Sequence, residues 1–300
     1  MLCQYVTYDC PSAFGRDNLC YHRGYSGYVA AGFRGADRIL QVFQWEQDHE
    51  ENSAYRFIRK DAIATDTLLR NGKGAAVKGG TGLIWSGFRP SDDACTYGYL
   101  IPSNMFATVA LVYLEEIADR VYGDNQLKAA AAHLRQQIEK GIKEYGIVET
   151  EDYGKIYAYE VDGFGQYNLM DDANIPSLLS MPYLGYRGDR GIMQSTRRFI
   201  LSEANPCYYQ GKYARGIGSP HTPKNHVWPL ALIMQGMTST DKKEKEDILR
   251  MLSETDAETG LMHESMHVDD PKKYTREWFS WANALFCEWI LDFCGYGIVK

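Results

Sequence analysis

The chain has 300 residues, of which 45% are apolar and 24% charged, enough for one large domain or two modest ones with a sizeable core. Lys and Arg total 32 against 39 Asp and Glu, a net charge of −7. This balance argues against a partner held through nucleic-acid phosphates. No apolar run approaches the roughly 18–20 residues that cross a bilayer, and residues 1–5 lack the basic and apolar regions of a signal peptide. The seven Cys are odd in number and irregularly spaced, with no CxxC. They read as small buried apolar residues, not as a disulfide framework or a zinc site. The unusual feature is aromatic: 22 Tyr, 11 Phe and 6 Trp, many beside Gly, Asn, Asp and Arg. Flat faces with polar neighbours suit a sugar ring, and equally a Tyr-rich core and surface.

In chain order, the first fifty residues read poorly as a packed element, with glycines at 15, 24, 27, 32 and 35. Weak helical patterns cover 36–49 and 55–69. The pattern over 105–122 is strong: apolar residues recur at i, i+3 and i+4, Pro102-Ser103-Asn104 precedes and Gly123 follows. Residues 127–145 repeat it. A hairpin is predicted in 146–166, with strands at 147–150 and 156–159 around Asp152-Tyr153-Gly154. Weaker helices follow at 175–183, 192–202 and 227–236. Residues 241–254 predict a helix capped by Ser239 or Thr240, and 278–293 a helix that is apolar nearly all round and hence buried. About nine helices in a single domain result, with the polar and aromatic residues gathered in the loops between them.

Five of these loops carry candidate chemistry. Arg89-Pro90-Ser91-Asp92-Asp93 offers an acidic pair. One Asp could enter a site while the other caps or pairs with Arg89; a simple cap and ion pair is the plainer reading. Asp171-Asp172-Ala173-Asn174 offers hydrogen-bonding groups for sugar hydroxyls, or a helix cap. Gly216-Ile217-Gly218-Ser219-Pro220-His221 places a His on a rigid loop, without the strand–turn–helix context of a nucleotide fingerprint. His263-Glu264-Ser265-Met266-His267 spells HExxH, the zinc-peptidase motif. That chemistry needs both His on one face of a helix and a third ligand, for which Glu277 is the candidate. Gly260 upstream and Asp269-Asp270-Pro271 downstream leave little room for such a helix. The rival reading makes Glu264 a general base on a loop. Finally, Arg276-Glu277-Trp278 at a helix start suggests a site wall, or an ion pair at the end of a buried helix.

Together these segments resemble glycoside hydrolase family 125, the exo-acting α-1,6-mannosidases. The resemblance rests on long strings in the family's order: WSGFRPSDDACTYGYLIPSNMFA (85–107), MDDANIPSLLSMPYLGY (170–186), GIGSPHTP (216–223), WPLALIMQG (228–236), ETDAETGLMHES (254–265) and YTREWFSWANALFCEWI (274–290). It covers about residues 53–293. It implies an all-α fold, an (α/α)6 barrel of two concentric helical rings. It also implies exo-acting hydrolysis of terminal mannose with inversion, by an Asp general acid and a Glu general base. The Asp carries over to Asp92, with Asp93 as the alternative, and the Glu to Glu264. Arg89, Asp171, Asp172, Asn174 and His221 are then candidates for holding hydroxyls, and Tyr97 and Trp278 for apolar walls. The resemblance calls for no metal and no cofactor. The implied partner is a mannose-containing oligosaccharide, an α-1,6-linked mannoside of an N-glycan or a mannan, with neither nucleic acid nor membrane.

The chain departs from the family at its start. Residues 1–52 match poorly, and the family's Trp-Leu-Arg-Asp-Ser-type motif has only a faint echo in Arg16-Asp17-Asn18. Twelve helices with their loops need roughly 360 residues. The expectation is therefore an incomplete barrel, and the alternative function is a truncated, inactive member with residual sugar binding. A zinc peptidase is the remote alternative. Localisation is left open: cytoplasmic by default for this chain, secreted if a longer protein carries a leader.

Overall fold

The computed structural model describes residues 26–61 and 63–296, and side chains from residue 35 onward. The family-motif echo at 16–18 and most of the Gly-rich start lie outside the described residues. Seven helices of nine residues or more form the scaffold: α1 (Ser26–Gln47), α2 (Ile101–Ile117), α3 (Asn125–Tyr145), α4 (Arg190–Ile200), α5 (Pro229–Met237), α6 (Lys242–Glu254) and α7 (Ser280–Phe293). α2 packs along α3, α1 also meets α3, and α5 packs against both α6 and α7.

Helix α3 shows why the strong patterns succeed. The Asp124 carboxylate accepts the backbone N–H groups of Gln126 and Leu127 at 2.8 and 2.9 Å, satisfying two donors that no helical carbonyl can reach. Leu127, Leu134, Ile138 and Ile142 then share a buried stripe. Each such side chain contributes about 1.5–3 kcal/mol of burial before conformational entropy is charged. Helix α2 starts earlier than its pattern predicts, because Pro102 sits inside the first turn, where its missing N–H costs nothing. It passes into a π turn at Ala118–Tyr122 and stops at Gly123, in the left-handed region at φ 63°.

Several expectations are corrected. Helix α1 begins at Ser26, ten residues upstream of the predicted start. Its buried stripe is Ala36, Leu40, Phe43 and Gln47, and this packing outweighs the poor helix propensity of the glycines within it. Residues 55–69 are not helical. They run extended and fold back, with Leu68 N–H donating to Phe57 O and Arg59 N–H to the Thr67 hydroxyl, around a single 3-10 turn at Ala64–Asp66. Residues 175–183 form turns, because Ser177 and Ser180 hydroxyls bond local backbone groups in place of a helical ladder. The cap of α6 is Asp241 itself, accepting from Lys243 N–H, while Ser239 bonds Asp241 N–H and Glu244. Helix α7 is not buried all round. Ala282, Leu285 and Trp289 face the core, while Trp281, Leu291 and Phe293 are exposed. Cys287 and Cys294, on and after that helix, are exposed too, whereas Cys95 and Cys207 are buried.

The strands are short and more numerous than the one predicted hairpin. That hairpin is present as β2 (Ile147–Thr150) and β3 (Gly154–Tyr157). Two three-stranded antiparallel sheets accompany it. One orders β1 (Tyr99–Leu100), β4 (Glu160–Val161) and β5 (Tyr167–Asn168). The other orders β10 (Asp270–Thr275), β9 (Ser265–His267) and β8 (His226–Val227). A second hairpin joins β6 (Tyr208–Gln210) to β7 (Arg215–Ile217). These small sheets, not the helices, carry the candidate site.

Candidate active site

The acidic pair sits at the tip of a tight turn. Phe88 and Ala94 face each other across an antiparallel bridge. Arg89 N–H donates to Asp93 O at 2.7 Å, and Asp92 N–H to Arg89 O at 3.0 Å. Asp92 lies at φ 71°, a conformation that costs a non-glycine residue energy and persists only where the surroundings fix it. The two carboxyls diverge: Asp92 is exposed and Asp93 is buried. Neither pairs with Arg89. The guanidinium turns away, with Nε 2.6 Å from Glu160 Oε1 and Nη2 3.4 Å from the Thr96 hydroxyl. Burial works against its charge, but the bond and attraction to Glu160 prevail and hold Arg89 protonated.

Glu264 lies just before β9. Its N–H donates to Thr275 O and Arg276 O, at 3.1 and 3.3 Å. Its carboxylate is 8% exposed, with Oε1 3.2 Å from Arg276 Nε. Arg276 is itself in the left-handed region, at φ 44°. His221 stands between the two acidic segments, on the loop from β7 to β8. Its Nδ1 is 3.7 Å from Asp93 Oδ2. Contact with Asp93, opposed by partial burial and helped by the charges of Glu264 and Asp92, raises its pKa above the ordinary value. One imidazole thus feels all three carboxylates.

Asp172 joins this group through Ser91, whose hydroxyl donates to Asp172 Oδ2 at 2.6 Å and lies 3.4 Å from Asp93 Oδ2. Burial raises the Asp172 pKa and the Ser91 bond opposes that. Asp171 is committed elsewhere. Its two oxygens accept Leu178 and Leu179 N–H at 2.8 and 2.9 Å. Burial nonetheless pushes its pKa up to about 8. Arg89 and Asp171, both expected to hold sugar hydroxyls, bond within the scaffold here. Both are buried, Arg89 against Glu160 on β4 and Asp171 on the Leu178 and Leu179 N–H groups, as buried polar groups require. Asn174 is buried, Tyr97 half-buried and Trp278 65% exposed.

The HExxH string does not form the helix that zinc ligation requires. His267 ends strand β9, and Asp269 N–H donates to its Nδ1 at 3.1 Å. The His263 ring stacks on Tyr274, with Nδ1 2.6 Å from Glu277 O and Nε2 3.2 Å from Asp256 O. Among the described residues, no group of three or more His, Cys, Asp or Glu could hold a metal ion, and no helix is long and apolar enough to cross a membrane.

Sequence reasoning missed Glu160, Ser91 and the supporting part of Arg276. Glu160 did leave a signal: a single charge follows Ile156-Tyr157-Ala158-Tyr159, and a charge in such a run needs a buried partner.

Comparison with known proteins places the chain in a family. A profile of the family described as metal-independent alpha-mannosidase (GH125) matches residues 26–291, which extends the matching region upstream of residue 53 to include α1. The chain is 42% identical to the meiotically up-regulated gene 157 protein of Schizosaccharomyces pombe, over 91% of this chain and 55% of that protein. It therefore spans about half the length of that curated relative. It is also 48% identical, with a TM-score of 0.87, to a Streptococcus pneumoniae metal-independent alpha mannosidase solved in a non-productive complex with alpha-1,6-mannobiose; the match covers 91% of this chain and 64% of that one. On the extent of the family match and the identity to both relatives, the chain belongs to the GH125 family of metal-independent alpha-mannosidases.

Proposed function

We propose that the chain releases terminal, non-reducing α-1,6-linked mannose with inversion, with Asp92 as general acid and Glu264 as general base. The observation that carries this reading is His221, with Nδ1 3.7 Å from Asp93 Oδ2 and within reach of the charges of Glu264 and Asp92, which come from loops about 170 positions apart. An inverting glycosidase needs two carboxyls on opposite faces of the sugar ring, roughly 6.5–9.5 Å apart, with a water beside one of them. Glu264 takes a proton from that water as its oxygen attacks C1. The C1–O bond breaks on the other face, and the departing oxygen takes the proton of Asp92. Asp92 is exposed and free to meet a leaving group. Asp93 is buried beside it.

His221, Asn174 and Asp172 would hold hydroxyls of the mannose, and Tyr97 and Trp278 would offer flat faces to its C–H surface. The helices are assigned to an (α/α)6 barrel, and residues 1–300 to one hydrolase domain. The likeness to a chain bound to alpha-1,6-mannobiose supports the linkage. The test is hydrolysis of α-1,6-mannobiose followed by NMR. β-Mannose as the first product is expected, and α-mannose would refute inversion. A second reading is sugar binding without turnover. Calorimetric binding of mannobiose with no product over hours would favour it.

A further inference from the structure

We infer that Glu160 is the positioning residue of the acid: its carboxylate ties together both ends of the turn that carries Asp92 and Asp93. The inference rests on the proposed role of that turn. Glu160 is fully buried on β4, between β1 and β5, where its backbone is paired on both sides: Leu100 opposite on one edge, Asn168 on the other. Three donors meet its two oxygens. Arg89 Nε–H reaches Oε1 at 2.6 Å from the segment entering the turn. The backbone N–H groups of Thr96 and Tyr97 reach Oε2 at 3.1 and 3.2 Å from the segment leaving it. One fixed carboxylate thus holds residues 89, 96 and 97, and the acidic pair lies between them.

Stability is a poor explanation for this arrangement. A buried ion pair loses so much hydration that well-packed apolar residues often serve as well or better. What a fully bonded ionic cluster supplies is a defined position. The turn needs one, because Asp92 sits in a backbone region it would leave if its surroundings relaxed. Catalysis needs one too, since a misplacement of about 1 Å at a reacting group costs on the order of 100-fold in rate.

Replacement of Glu160 by Gln keeps the shape but substitutes an amide N–H for one acceptor oxygen. At least one of the three donors then faces another donor, and the turn must shift. The test compares substrates that differ in their need for the acid. Mannose leaving from α-1,6-mannobiose requires protonation; fluoride leaving from α-mannosyl fluoride does not. For folded Glu160→Gln, kcat on mannobiose should fall about 100-fold, with KM little changed and kcat on the fluoride within about threefold. Asp92→Asn supplies the reference pattern.

Equal losses on both substrates in folded Glu160→Gln, while Asp92→Asn keeps its bias, would overturn the role of Glu160 and leave the acid assignment standing. Absence of bias in both Asp92→Asn and Asp93→Asn would remove the acid assignment, and the role of Glu160 with it. So would a parent chain inert on both substrates. If Glu160→Gln does not fold, Arg89→Lys answers the same question, since it leaves a charge opposite Glu160 but loses the planar guanidinium. A loss of about tenfold confined to mannobiose is then expected, and an equal loss on both would overturn the inference.

Discussion

The buried Asp171 carboxyl makes a prediction about stability that the structure allows to be worked through. Two influences oppose each other there. Burial disfavours the charged form; the N–H groups of Leu178 and Leu179, at 2.8 and 2.9 Å, favour it. Burial prevails, helped by the charge of Asp172, and the pKa rises from 3.8 to about 8. Folded Asp171 therefore binds its proton more tightly than unfolded Asp171. Its contribution to stability is complete below about pH 4 and is lost as the pH rises toward 8. One proton linked to folding changes stability by about 1.4 kcal/mol per pH unit, so the whole window amounts to on the order of 5 kcal/mol. For a domain of this size that is about 2 °C in Tm per pH unit. The assay is thermal unfolding at pH 4–8 of the parent and of Asp171→Asn. The amide can accept only one of the two N–H groups, so the variant starts about 1 kcal/mol lower. It has no proton to lose, and the gap between the two curves should narrow and invert as pH rises. Groups away from Asp171, such as His221, titrate in both proteins and largely cancel, while Asp172, whose charge acts on Asp171, adds a smaller difference. Parallel curves would refute the reasoning. A parent that gains on the variant with rising pH would show that the two N–H bonds win and that Asp171 is folded as a carboxylate.

Three further outcomes follow from the same geometry. Glu264→Gln should fold normally and lose about 10²- to 10⁴-fold in kcat on α-1,6-mannobiose, as expected for removal of a general base; near-normal turnover would sink that assignment. Gly218→Ala places a Cβ 2.1 Å from the backbone oxygen of His226. The clash should cost about 1–3 kcal/mol and displace the loop that carries His221, so a variant with parental Tm and activity would contradict it. Asp124→Ala removes the two bonds that start α3 and should lower stability by about 1 kcal/mol, or about 1.5 °C in Tm. Because both bonds lie within the first turn of α3, kcat should be unchanged; a fall in kcat at a temperature where the variant is folded would count against a purely local role.

The parts of the fold legible in the sequence are those held by local signals. Asp124, the i, i+4 stripe of α3 and Gly123 fix that region without reference to anything distant. The same is true of β2 and β3, which a short turn joins directly. Where partners are distant, the pattern misled. Residues 55–69 have a helical period, yet their N–H groups bond to residues 67 and 72 across a fold-back. The apolar surround of α7 suggested burial, while only one of its faces meets the core. The HExxH string has the spacing of a helix, but β9 pairs on one side with β8 and on the other with β10, and this pairing decides its conformation. The acidic pair and Glu264 are legible as candidates in their own loops, and the family-like strings give them the roles of acid and base. The residues that hold them are not legible there, since Glu160 and Ser91 have meaning only once β4 and the 171–174 loop are brought beside the turn.

This division has a physical consequence. The long helices bury broad stripes, so the loss of one cap or one contact is shared over many others. The acidic turn and Glu264 rest on strands of two to six residues and on a handful of hydrogen bonds. Two residues there, Asp92 and Arg276, sit at positive φ. Such residues stay in place only when their neighbours over-determine them. Substitutions in the helices should therefore appear mainly as changes in Tm. Substitutions in the short strands and turns should appear in kcat at nearly constant Tm. Glu160 is the most informative position, because it is as buried as any helix core residue yet its carboxylate bonds to both ends of the acidic turn. A loss there that appears in Tm alone would place it with the core; a loss that appears in leaving-group dependence would place it with the chemistry.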